Sequence, residues 1–252
     1  MRLKTGDLDQ LFHPHRIPHC FFATDALHCY TFTPLHFYTF KMAVIAILNS
    51  KGGSGKTTLA INLAGGLAAH GKNILLVDSD PQGSTTGWSF TREEQGITQP
   101  NVRSMPQPET LRTIDKEAYD HVIIDGSARL EELLTAALRI ADAVLIPVRP
   151  SPLDLYASRE VIELVWQEQK TRDRPLRYAV CVTQQIGGSI LAREIGGAAR
   201  ELGVPLLEAR MHHRLDYVRA AQLGMTVQEY QPLGKAAQET EQLVCELLNF
   251  VK

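Results

Sequence analysis

From Met42 onward the chain alternates short apolar runs with longer segments in which apolar residues recur at helical spacing. Met42-Ala43-Val44-Ile45-Ala46-Ile47-Leu48-Asn49 opens the series. Asn73 to Val77, His121 to Asp125, Ala143 to Val148 and Tyr178 to Thr183 follow, with a weaker run at Val204 to Leu207. Helices are predicted from Lys56 to about His70, ending at Gly71, and over Leu130 to Ile140, Asp154 to Lys170, Ile190 to Leu202 and Lys235 to Val251. Residues 84–118 contain Pro100, Pro106 and Pro108 and read as loops with one short helix. The strand runs are nearly continuous in apolar residues, the pattern of strands covered on both faces. Strands alternating with helices predict an α/β fold: a doubly wound, mostly parallel sheet flanked by helices, with ligands at the carboxyl ends of the strands.

Residues 1–41 do not share this pattern. His13, His15, His19, His28 and His36 stand there among Phe, Tyr and Pro, with no helical or strand period. The segment lacks the continuous apolar core of a secretory signal. His13, His15, His19 and Cys20 could hold zinc by residue type. The simpler expectation is a disordered or non-native N-terminal extension ahead of a working start at Met42, with residues 42–252 as a single domain.

Composition narrows the partners. The 252 residues carry a net charge of −2, so no global field draws the protein onto nucleic acid, and DNA binding would need a local patch. Cys20, Cys29, Cys181 and Cys245 are scattered and suggest neither a zinc site nor a disulfide framework, which fits a reducing cytoplasm. No apolar run is long enough to span a bilayer.

The richest chemistry lies between the first strand and the first helix, in Lys51-Gly52-Gly53-Ser54-Gly55-Lys56-Thr57-Thr58. Strand, glycine loop and helix is the context of a phosphate-binding loop. Glycines let several N–H groups point into one space, and the helix N-terminus adds partial positive charge. Lys56 would reach the β- and γ-phosphates, and the Thr57 hydroxyl would ligate Mg²⁺. The literal pattern G-x-x-x-x-G-K-[ST] is not met, because its first glycine falls at Ser50. Asp125 closes an apolar strand and would hold Mg²⁺ through a water. Asp78 and Asp80 follow the second strand two residues apart. Two acids beside a triphosphate are costly unless compensated, which makes them functional candidates; the alternative is turn-forming aspartates ahead of Pro81. No N-K-x-D stretch reads guanine, so ATP is favoured over GTP, and Thr183 or Gln184 would lie near the adenine.

The loop, with its second lysine, resembles the deviant Walker A box of the ParA/MinD family of P-loop ATPases. Asp78-x-Asp80-Pro81-Gln82 resembles that family's Walker A′ box, and Ile124-Asp125-Gly126 its Walker B strand. With Ile146-Pro147-Val148-x-Pro150-Ser151-Pro152-Leu153-Asp154, the likeness is greatest to the small ParF-like partition proteins. Gly126-Ser127-Ala128 departs from the x-Pro-Pro that many ParA relatives carry. The resemblance implies that Lys51 reaches the partner's nucleotide across an ATP-dependent homodimer. It implies that Asp80 positions the attacking water, with Asp78 in support, in a weak intrinsic ATPase. It further implies a cytoplasmic, nucleoid-associated partition ATPase that binds DNA without sequence preference. A ParB- or ParG-like centromere-binding partner would stimulate hydrolysis and so release the DNA. Arg214 and Arg219, in the stretch Arg210, His212, His213, Arg214 and Arg219, are the DNA-binding candidates; Lys170, Arg172, Arg174 and Arg177 form a second basic cluster. Two other classes compete. A MinD-like membrane-associated ATPase needs a basic amphipathic C-terminal helix, and Glu239 to Leu248 is acidic. A small-molecule P-loop kinase would consume ATP only with its acceptor.

Overall fold

The computed structural model describes residues 42–128, 130–187 and 191–252. The histidine-rich extension and its zinc candidates, and the start of the helix expected from Ile190, lie outside the described residues.

Seven strands form one wholly parallel sheet, β3-β2-β4-β1-β5-β6-β7. They are β1 (Ala43–Ile47), β2 (Ile74–Asp78), β3 (Asn101–Ser104), β4 (His121–Asp125), β5 (Ala143–Val148), β6 (Arg177–Gln185) and β7 (Leu206–His212). Successive strand residues point to opposite faces. Val44, Ala46 and Leu48 therefore pack with Leu133, Val161 and Ile195 on one side of the sheet, while Ala43, Ile45 and Ile47 pack with Leu59, Leu63 and Leu243 on the other. The first face is covered by α3 (Pro108–Leu111), α4 (Glu131–Ile140), α6 (Arg159–Thr171) and α7 (Leu191–Leu202). The second is covered by α1 (Lys56–Ala69), α2 (Ser84–Glu93), α8 (Leu215–Gln222), α9 (Val227–Tyr230) and α10 (Lys235–Phe250).

The predicted fold class holds, with differences in detail. Residues 84–118 contain a ten-residue helix, α2, and an edge strand, β3, in addition to the short helix α3. The helix expected from Asp154 is two: α5 (Pro152–Ala157) and α6, which meet at Ser158. The Ser158 hydroxyl donates to the Asp154 carbonyl and accepts the Asn49 amide, which fixes the break. The last strand runs further than Val204 to Leu207 suggests, because Leu207, Ala209 and Met211 continue a buried alternation through Arg210 and His212.

β1, β2 and β4 end level with one another. Asp125 is the register partner of both Ile47 and Asp78, so the glycine loop and the two acidic strand ends open at one edge of the sheet.

Candidate functional site

The loop after β1 turns through Gly53 (φ 71°) and Gly55 (φ 90°), left-handed conformations that favour glycine. It is held from below. The Asn49 amide donates to the Pro147 carbonyl (2.8 Å) and the Ser158 hydroxyl (2.9 Å), and Asn49 Oδ1 accepts the Lys51 N–H (2.9 Å). The buried Thr183 hydroxyl donates to the Ser54 carbonyl at 2.7 Å, and Gln184 Nε2 to the Gly53 carbonyl at 2.9 Å. Gln184 itself has φ 53°. Thr183, expected beside the base, thus holds the loop with its polar atom. Neither Asn49 nor the clamping role of Gln184 was legible in the motif; a lone polar residue ending the apolar β1 run was the available signal.

Gly52, Gly53, Gly55, Lys56, Thr57 and Thr58 line a cleft of about 580 Å³ together with Asp80, Gln82 and Ala128. Ser54 is buried beneath it. Lys56 is nearly buried at the start of α1, and its ammonium donates to the Lys51 carbonyl at 3.3 Å. Burial pushes the Lys56 pKa down, while Asp125 and Asp80 pull it back. A smaller cavity of about 250 Å³ adjoins the loop, lined by Thr183, Gln184, Met211, His213, Arg214 and Tyr217 among others.

The acids divide into distinct environments. Asp125 is 1 % exposed. Its Oδ2 accepts the Thr57 hydroxyl at 2.8 Å and the Thr85 hydroxyl at 2.7 Å, while Oδ1 is buried without a partner. Burial raises its pKa to about 7, against the two threonine donors; Asp78 raises it further and Lys56 lowers it. Asp78 is wholly buried, and its Oδ2 accepts both the N–H (2.7 Å) and the hydroxyl (2.8 Å) of Thr86 in the first turn of α2. It braces that helix rather than facing the cleft. Asp80 is only half-buried, lines the cleft, and accepts the Gln82 N–H at 3.0 Å. The Asp78 Oδ1 accepts the Asp80 N–H at 3.2 Å, so the first acid positions the second.

Lys51 pairs with Asp154 of its own chain, and Arg149 reaches the same carboxylate at 3.1 Å. Burial opposes ionisation of Asp154, but Lys51 and Arg149 hold its pKa below the ordinary range.

The DNA candidates part company. Arg214 donates to Glu239 at 2.8 Å and lines the smaller cavity, whereas Arg219 is exposed on α8. In the second basic cluster, Arg172 donates to the Ala141 carbonyl (2.7 Å) and Arg174 pairs with Asp142. Both lie near the amino ends of β5 and β6, at the opposite edge of the sheet from the cleft.

A buried carboxylate with one unpartnered oxygen, beside a threonine hydroxyl and a glycine loop, fits an oxygen-ligated divalent ion such as Mg²⁺ with a phosphate ligand. The AAA domain family matches residues 42–105 and 98–177. The Maintenance of carboxysome distribution protein A of Halothiobacillus neapolitanus is 32 % identical over 212 residues, spanning 82 % of this chain and 97 % of that protein. The chain belongs to the ParA/MinD family of ATPases. The chromosome-partitioning ATPase Soj of Thermus thermophilus is 28 % identical over 242 residues, spanning 82 % of this chain and 96 % of its own. The septum site-determining protein MinD of Pyrococcus horikoshii, solved with Mg-ADP, matches with a TM-score of 0.64 at 22 % identity, over 82 % of this chain and 96 % of its own. At that identity the likeness concerns the fold of this ParA/MinD-family protein.

Proposed function

We propose that this protein is an ATP-hydrolysing positioning switch. Two subunits join around ATP, bind DNA without sequence preference, and part on hydrolysis stimulated by a partner protein. The observation that carries the reading is the pairing of a glycine loop bearing two lysines with a buried, half-partnered Asp125. The loop amides and Lys56 would hold the β- and γ-phosphates, and Thr57 and Asp125 would hold Mg²⁺, which supplies charge neutralisation on the phosphates. Asp80, the cleft-facing acid, would orient the attacking water. Lys51 would leave Asp154 to reach the nucleotide of a second subunit. Arg219, on the exposed side of α8, is the better-placed phosphate contact on DNA, doubled in a dimer.

The cargo is read as plasmid or chromosomal DNA held by a centromere-binding protein. A second reading, a protein-bounded compartment as cargo, is favoured by the carboxysome-distribution relative and uses the same nucleotide switch. A membrane-bound role is disfavoured, because the apolar face of α10, with Leu243, Val244 and Leu247, is buried against the rest of the core. Among the described residues no helix is long and apolar enough to cross a membrane.

The test is binding to a random-sequence DNA duplex with ATP, ADP or no nucleotide, at two salt concentrations. Salt-sensitive binding with ATP alone, weakened in Arg219→Ala, is the expected result. Equal binding in all nucleotide states would refute the switch.

A further inference from the structure

Two hydroxyls, not one, fix the Asp125 carboxylate. Thr57 was legible from the loop motif. Thr85 was not, yet it makes the shorter contact, 2.7 Å to Oδ2. Thr85 is wholly buried, the second residue of α2, and its place there is set from its neighbours. The backbone turns into α2 at Gly83 (φ 66°), and Thr86, the residue after Thr85, is anchored on Asp78 through both its N–H and its hydroxyl. Asp78 is the register partner of Asp125 across β2 and β4. The strand pairing and the Thr86 anchor together deliver the Thr85 hydroxyl to Asp125.

This makes the two carboxylate oxygens unequal. Oδ2 accepts two donors, and Oδ1 is buried with no protein partner. A hydroxyl has one proton to donate and lone pairs left over. Thr57 can therefore give its proton to Oδ2 and still offer its oxygen to a metal. Thr85, 28 positions beyond Thr57 by the numbering but facing the same carboxylate oxygen, lines neither described cavity at the loop, so Asp125 is the partner its hydroxyl serves. With both donors on Oδ2 the carboxylate cannot rotate about Cβ–Cγ without breaking two hydrogen bonds, and Oδ1 is the oxygen left for a metal-bound water.

We propose that Thr85 is a positioning residue for Mg²⁺: its hydroxyl locks the Asp125 carboxylate so that Oδ1 is presented to the metal's water. This rests on reading the site as one for Mg²⁺ and ATP. Outer partners of metal-holding groups change metal affinity about 10- to 100-fold when removed.

The experiment measures binding of a fluorescent ATP analogue to the full chain as free Mg²⁺ is titrated, with thermal unfolding in EDTA alongside. Thr85→Val, which keeps the shape and removes the donor, is expected to raise the half-saturating Mg²⁺ concentration about tenfold or more. Thr85→Ser is expected to restore it, and analogue binding in EDTA is expected to be unchanged. Thr85→Ala replaces the valine variant if that one does not fold. A folded Thr85→Val or Thr85→Ala with the wild-type Mg²⁺ requirement, or a Thr85→Ser as impaired as Thr85→Val, overturns the assignment while leaving the site reading intact. A wild-type protein that binds the analogue equally well with and without Mg²⁺ overturns both.

Discussion

Arg92 offers the sharpest test of how α2 is anchored at the end away from the nucleotide. It is 2 % exposed, in the last turn of a helix rich in Ser, Thr and Gly. Its guanidinium forks onto Glu229 at 2.7 and 2.8 Å, donates to the Gly224 carbonyl at 2.8 Å and to the Gln99 carbonyl, and sits 4.6 Å from the Trp88 ring centre. Glu229 in turn closes the capping box of α9 on Thr226. Burial opposes its ionisation, but Arg92 and the Thr226 N–H outweigh that and hold its pKa low. Arg92→Met keeps the apolar volume beside Trp88 and removes every donor. Breaking a buried pair costs about 3–5 kcal/mol. The Glu229 side chain is 38 % exposed and can regain water, which places the expected loss at the lower end, about 3 kcal/mol. For a domain of this size that is a fall in Tm of about 6–12 °C. The assay is denaturant unfolding of wild type, Arg92→Met, Glu229→Gln and the double variant. The double variant is expected to be more stable than the sum of the singles by about 1–3 kcal/mol, because the second change removes the charge that the first left unpaired. A loss below about 1 kcal/mol with no coupling would refute the view that this clamp, rather than helix propensity, holds α2.

Mg²⁺ binding should weaken in acid. In the metal-free protein the raised Asp125 pKa means the folded state holds its proton more tightly than the unfolded chain. The linked stabilisation is present below the ordinary aspartate value of 3.8 and is lost as pH rises towards about 7. Because the proposed Mg²⁺ site uses the carboxylate in its ionised form, the half-saturating Mg²⁺ concentration should rise about tenfold per pH unit below pH 7 by calorimetry; a flat profile there would contradict the burial argument. Asp80→Ala should lower the turnover number in steady-state ATPase assays while leaving nucleotide binding intact, and a wild-type rate would remove Asp80 as the water-positioning acid. Gly126→Ala should lower Tm, since a Cβ there would stand 2.8 Å from the Ile47 carbonyl and 2.4 Å from Leu48. An unchanged Tm would show that the β1–β4 junction can open without cost.

The elements visible in the sequence were those whose physics is local or one-dimensional. β1, β2, β4 and β5 are buried on both faces, so each appears as an apolar run, and Asp125 stands out because it ends one. The glycine loop is legible because its backbone conformation requires its glycines. α2 was hidden because Ser84-Thr85-Thr86-Gly87 is a poor helical start by propensity. Its stability comes from Asp78 at one end and from Trp88 and Arg92 at the other, contacts with residues as distant as Met225 and Glu229. β3, of four residues with no buried side chain, has no apolar signature to read. Thr85 and Asn49 were hidden for another reason. Their partners lie 40 and 109 positions away, and only the strand order brings them together. Asp78 is expected from the sequence to support Asp80; its carboxylate accepts the Asp80 N–H and, through a buried bond to Thr86, also braces α2.

In the proposed switch, ATP joins two subunits through Lys51, which pairs with Asp154 in the single chain. Sedimentation of Asp80→Ala protein, in which hydrolysis is expected to be slowed, is the test, with ATP or ADP in the presence of Mg²⁺ and with Lys51→Ala added to the same background. The expected result is a dimer with ATP, a monomer with ADP, and a monomer with ATP once Lys51 is replaced, with nucleotide binding retained in that variant. A monomer in every state, or a Lys51→Ala protein that dimerises as fully as its parent, would contradict it.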